Sequence, residues 1–208
     1  MAFLRALLLI AFATLPALAQ GEVREGLALP SETFKRPMRY TIYLPPGYEQ
    51  SKRTYPVVYL FHGFGDDDAA WIHNGELAET LDRAIADRKV TPMIVVMPDG
   101  GVSWYVNSAD GASKWEDYFM KEFMPFIEER FRVRPQRGSR AIGGVSMGGY
   151  GALSYALRHS DRFSACLALS ASLRAPEDVA AITPERWAQA YAATFGPGKG
   201  EARLTAHW

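Results

Sequence analysis

The sequence is short of several things. It carries one cysteine and four histidines in 208 residues. A single thiol excludes an internal disulfide. That thiol, Cys166, lies in the apolar run FSACLALS and reads as a small buried hydrophobe. Neither sign of charge dominates: 23 Lys and Arg face 23 Asp and Glu, and the longest acidic run is Asp66 to Asp68. Such a balance gives a nucleic acid nothing to hold, so no nucleic-acid partner is expected. G-x-G-x-x-G and G-K-[ST] are both absent, which removes the glycine loops that cradle phosphates. No metal-ligand spacing is present either, so neither cofactor nor metal is expected.

One long apolar stretch exists, and it is at the start. MAFLRALLLIAFATLPALAQ has an early positive charge at Arg5, an apolar core from Ala6 to Leu15, and Pro16 followed by Ala17 and Ala19. Its core is shorter than the ~20 residues of a bilayer span, and Ala17-x-Ala19 is what signal peptidase reads. The expectation is a signal peptide at 1–19 and a secreted or periplasmic domain at 20–208, with no membrane insertion after cleavage.

Along that domain, apolar strand-like runs alternate with helical spacing. MRYTIYLPPGY, PVVYLFHGFG, MIVVMPDGG, RAIGGV and FSACLALS read as strands. Helical stripes are expected in LAETLDRAIADRK and WEDYFMKEFMPFIEERF, the second kinked at Pro125, and in MGGYGALSYALRH. Pro176 and Thr183-Pro184 mark two further helix starts, the second helix running to Gly196. This alternation predicts an α/β fold with a mainly parallel sheet and helices on both faces.

The chemistry gathers at Gly144-Val145-Ser146-Met147-Gly148, a G-x-S-x-G between a strand and a helix. A serine on so tight a turn needs strained backbone angles. Strand and helix then run so close that side chains two positions either side would collide, hence glycine. The turn also sets Ser146 at a helix N-terminus, where free N–H groups favour developing negative charge. A second loop, HGFGDDDAAW, follows a buried strand, and the backbone amides of Phe64 and Met147 are the expected oxyanion donors. His62 reads as a loop-shaping residue, and Asp66 to Asp68 as the acidic first turn of a helix.

With YTIYLPPGY, YPVVYLFHGFGDDDAAW, MIVVMPDGGVSWYVNS and AIGGVSMGGYGALSYALRHSDRF in this order, residues 38 to 172 resemble the esterase D-type α/β-hydrolases. That family includes S-formylglutathione hydrolases, feruloyl and acetyl esterases, and mycolyltransferases. The resemblance implies an α/β-hydrolase fold, Ser146 as nucleophile with Phe64 and Met147 at the oxyanion hole, and a small-molecule or glycan ester as substrate. It sets Trp104 and Tyr105 near the acyl or alcohol pocket, with aromatic packing under a loop as the alternative.

The family's triad runs Ser, then Asp or Glu, then His. Only His159 and His207 follow Ser146. His159 reads as a residue of a helix C-terminus, and Asp178 with His207 satisfies chain order alone. The expectation is a hydrolase domain incomplete at its C-terminus, with the last strands missing. Hydrolysis through an acyl-enzyme, acyl transfer, and a catalytically dead binding protein on a hydrolase scaffold all remain open at this point.

Overall fold

The computed structural model describes residues 20–198, so the expected leader and His207 lie outside the described residues. Six strands form one sheet: β1 (Glu22–Ser31), β2 (Arg36–Leu44), β3 (Val57–Phe61), β4 (Ile94–Pro98), β5 (Arg140–Val145) and β6 (Ala165–Leu169). Their order is β1-β2-β4-β3-β5-β6. β2 runs antiparallel to β1 and β4, whereas β4, β3, β5 and β6 are mutually parallel neighbours. This is the α/β architecture expected, with one strand more than the sequence suggested.

β1 is the addition. Its alternation is broken where the register shifts between Arg24 and Leu27, and it is a largely exposed edge strand rich in charge. Such a strand lacks the apolar signature of a central one.

The period-2 alternation of the strands divides the core between two faces. Ile42, Leu44, Tyr59, Phe61, Ile94 and Val96 join one buried cluster, and Tyr43, Leu60, Val95 and Met97 join another. The second face is covered by Trp71 of α1 (Ala70–His73) and by Leu77, Leu81 and Ile85 of α2 (Leu77–Ala86). The first face receives α3 (Trp115–Tyr118), α4 (Met124–Arg130) and α5 (Met147–Arg158). A fully buried ring such as Phe61 contributes roughly 1.5–3 kcal/mol.

Between α3 and α4 the chain makes a π-helical turn, Phe119–Phe123. Pro125 cannot donate to a carbonyl one turn back, and the π-helical widening lies just upstream of it, at the start of α4. The helix expected up to Gly196 is in fact two, α7 (Pro184–Ala190) and α8 (Ala192–Phe195), after a short α6 (Pro176–Ala181). Among the described residues no helix is long and apolar enough to cross a membrane.

Cys166 corrects an expectation: it is exposed, not buried. β6 pairs only with β5 among the described residues, and Leu167 and Leu169 beside it are 54% and 40% exposed. An apolar run forecasts burial only where a neighbouring layer covers it.

Two polar anchors fasten the layers. Arg140, 4% exposed, reaches Glu128 Oε1 of α4 at 2.7 Å and the Arg162 carbonyl at 2.7 Å. Glu122 accepts from Thr33 N at 2.8 Å, Thr33 Oγ1 at 2.5 Å and Ser31 Oγ at 2.7 Å, clasping the β1–β2 turn to the π turn. Burial pushes the Glu122 carboxyl up, but these hydrogen bonds outweigh it and hold it below its ordinary 4.5. Its stabilisation is therefore complete above pH 4.5 and fades as pH falls through the lowered value. The stability lost on Glu122→Gln should accordingly be larger at about pH 6 than at about pH 3 in urea unfolding, because below 4.5 the unfolded carboxyl takes up a proton more readily than the folded one and the advantage of the folded state shrinks.

Candidate active site

Ser146 caps α5 at φ 55°, ψ −114°, a conformation that a non-glycine residue rarely adopts. Three backbone hydrogen bonds hold it there: its N–H donates to Leu169 O, and its carbonyl accepts from Tyr150 N and Ser172 N, each at 3.0 Å. The flanking glycines are sterically required. A Cβ on Gly144 would lie 2.5 Å from the Gly148 carbonyl, and one on Gly148 would lie 2.5 Å from the carbonyl oxygens of Phe61 and His62. Strand β3, strand β5 and helix α5 therefore meet at backbone contact, and that meeting lifts the serine above the sheet.

The loop after β3 comes to the same place. A Cβ on Gly63 would stand 3.9 Å from Ser146 Cβ. Gly63 O accepts from Asp66 N at 3.3 Å, closing a turn through Phe64 and Gly65, whose φ of +86° favours glycine. Among the described residues the amides of Phe64 and Met147 donate to no backbone or side-chain acceptor. Two unspent N–H groups on either side of a serine can bind a developing oxyanion. A cavity of about 170 Å³ opens alongside, lined by residues that include His62, Asp66, Trp71, Asn74 and Val145.

The described histidines are all occupied elsewhere. His62 is buried, its Nδ1 2.7 Å from Gly63 O and its Nε2 2.9 Å from Gly100 N. His73 meets Glu25 on the surface at 3.0 Å. His159 is the C-cap of α5, as the sequence indicated, and contacts Glu116 at 2.7 Å, where Arg158 also pairs. Asp178 accepts from Ala175 N at 3.2 Å at the start of α6.

Asp68 departs from the sequence reading. It is fully buried, accepts from Thr41 Oγ1 at 2.7 Å and pairs with Arg39 at 2.9 Å. α1 has no acidic residue in its first turn. Asp68 ties the loop to β2 instead of serving a helix dipole. No cluster of His, Cys, Asp and Glu suited to a metal occurs among the described residues.

Trp104 and Tyr105 have consecutive positive φ values, 57° and 60°, and both side chains are engaged in packing. Trp104 stacks on Tyr191 at 4.9 Å and donates to Ala190 O at 2.7 Å, so α7 and α8 hang from it. Tyr105 stacks on Phe61 at 4.0 Å, and its hydroxyl accepts from His62 N at 2.9 Å. With Tyr105 at 0% and Trp104 at 3% exposure, neither ring is open to a ligand in this arrangement. The link between Tyr105 and His62 spans 43 residues, and no sequence pattern announces it.

The esterase family model ("Putative esterase") matches residues 31–203. This chain belongs to that family. It is 36% identical over 166 residues to the esterase Rv1288 of Mycobacterium tuberculosis, covering 76% of this chain and 34% of that protein. It is 31% identical over 156 residues to an endo-1,4-beta-xylanase/feruloyl esterase of Xylanibacter ruminicola, covering 72% of this chain and 22% of the relative. The chain thus spans about a third or less of the length of these curated relatives. Among solved structures, a ferulic acid esterase superposes with a TM-score of 0.78 at 33% identity, over 92% of this chain and 72% of that one. An S-formylglutathione hydrolase of Agrobacterium tumefaciens, 23% identical with a TM-score of 0.68, shares the α/β-hydrolase fold over 90% of this chain and 69% of its own.

The close packing yields a direct test. Gly148→Ala should cost about 3 kcal/mol in urea unfolding, because its new methyl meets backbone that has nowhere to move. Gly138→Ala, with open space around it, should stay within about 0.5 kcal/mol of wild type.

Proposed function

We propose that this chain acts as an exported serine carboxylic-ester hydrolase, through an acyl-enzyme on Ser146. The observation that carries the reading is the strained Ser146 backbone beside two unspent amides, at Phe64 and Met147. Strain of this kind costs on the order of 1–3 kcal/mol and persists where function uses it.

In the proposed reaction Ser146 Oγ attacks the ester carbonyl and loses its proton to a general base. The negative charge that develops on the carbonyl oxygen is taken by the Phe64 and Met147 amides. The alkoxide leaves as the alcohol after receiving that proton, and water then hydrolyses the acyl-serine by the same route. His62, His73 and His159 each have other partners, so the base belongs outside residues 20–198. The substrate proposed is a small-molecule or glycan ester. Similarity to a ferulic acid esterase and to an endo-1,4-beta-xylanase/feruloyl esterase supports a feruloyl ester among these. The Arg5-led apolar segment ahead of Ala17 and Ala19 supports export.

Treatment of the natural protein with a fluorophosphonate probe should attach one label, located at Ser146 by peptide mass analysis. Ser146→Ala should take none, and its hydrolysis of feruloyl and acetyl esters should fall by about 10⁴–10⁶. Undiminished ester hydrolysis in Ser146→Ala, or a label on another residue, would overturn the assignment.

A further inference from the structure

Among the described residues His62 is the one buried histidine, and its bonding fixes its proton. Gly100 N–H can only donate, so at 2.9 Å the His62 Nε2 must be the acceptor. The ring proton then resides on Nδ1, from which it is donated to Gly63 O at 2.7 Å. Asp99 Oδ1 is near Nε2 but at 3.7 Å, beyond hydrogen-bond reach, and it accepts from Gly101 N at 3.0 Å instead. The His62 backbone is clamped as well: Tyr105 Oη accepts from His62 N at 2.9 Å and donates to His62 O at 3.3 Å.

The Gly63 carbonyl and the Phe64 N–H belong to one planar peptide unit. In a trans peptide the two point in opposite directions, and no cis peptide bond is present in the described chain. Whatever holds the carbonyl therefore aims the amide. We propose that His62 is a positioning residue: its neutral, Nδ1-protonated imidazole pulls the Gly63 carbonyl inward and thereby turns the Phe64 N–H outward as an oxyanion donor beside Ser146. The inference rests on the esterase reading of Ser146 and assigns His62 a task distinct from that of the general base. It also explains why a residue next to the serine loop is buried with both nitrogens spent, an arrangement useless for proton transfer.

Two substitutions separate positioning from bulk. The side-chain amide nitrogen of His62→Asn falls near the Nδ1 position and can still donate to Gly63 O. The longer His62→Gln reaches the Nε2 position, where its carbonyl can accept from Gly100 N–H but leaves Gly63 O without the side-chain donor. Hydrolysis of a p-nitrophenyl ester should retain kcat within about threefold in His62→Asn and lose about 10²–10³ in His62→Gln, the range for one lost oxyanion donor, with little change in KM. Equal kcat losses in the two variants would overturn the proposal.

A spectroscopic measurement on the wild-type chain needs neither turnover nor a variant that folds. Imidazole ¹⁵N–¹H correlations should show His62 protonated on Nδ1 and bare on Nε2, and an Nε2-protonated ring would overturn the proposal. Should the wild type and Ser146→Ala hydrolyse the ester equally, the esterase reading fails. The positioning of the peptide is then still decided by the tautomer and by the Gly63 carbonyl ¹³C shift, which should move in His62→Gln and hold in His62→Asn. A shift that moves equally in both would overturn it.

Discussion

The close approach of three backbones at Gly144, Gly148 and the end of β3 is the constraint on which the rest of the molecule depends. It admits no Cβ at either glycine, and it forces Ser146 into a conformation costing on the order of 1–3 kcal/mol. Three hydrogen bonds to the Ser146 backbone, each worth about 0.5–1.5 kcal/mol net, are enough to hold it. Two of the three come from Leu169 and Ser172, at and just after the end of β6. The exposed strand β6, an edge of the sheet among the described residues, is therefore part of the elbow's support through its backbone.

The same economy governs the loops above the sheet. Phe61, at the end of β3, stacks on Tyr105, which meets Trp115 edge-on at 5.1 Å and takes the His62 amide. Tyr155 of the elbow helix donates to the Tyr105 carbonyl at 2.7 Å. Tyr105 thus joins, through its ring and its carbonyl, the strand that precedes the Phe64 loop, the helix that follows Ser146, and the start of α3. Full burial raises the Tyr105 hydroxyl far above its ordinary pKa, so it remains a neutral donor and acceptor. Trp104, its neighbour, holds α7 and α8 by stacking on Tyr191 and donating to Ala190 O.

How much of this could be read in advance depended on distance along the chain. Gly144, Ser146 and Gly148 lie within five residues, so the steric rule that joins them is written in consecutive letters, and the strands on either side were legible for the same reason. β1 was not, because charge and the bulge near Gly26 erase the alternation that marks a half-buried strand. Burial of Cys166 was misjudged because an apolar strand says nothing of which layer lies beyond it. Asp68 was misjudged because its partners, Thr41 and Arg39, sit nearly thirty residues away on another strand. The packing of Trp104 and Tyr105 involves partners tens of residues distant, and resemblance alone suggested a pocket for them.

The division between local and distant features also bears on how such a site can work. Ser146 and the amides of Phe64 and Met147, the proposed nucleophile and oxyanion donors, belong to two turns at the ends of adjacent parallel strands, β3 and β5, whose register runs from Val57 opposite Arg140 to Phe61 opposite Gly144. Their relative placement is set by sheet hydrogen bonds and backbone contact, with the buried His62 ring bonded to the Gly63 carbonyl between them. A base, by contrast, acts through a side chain and can be delivered from any loop that reaches the serine. Electrostatic stabilisation by fixed dipoles needs the more accurate placement, since it is lost with small displacements and requires no proton transfer. The proposed machinery within residues 20–198 is thus the part that tolerates least error, and it is built where the fold has least freedom to move.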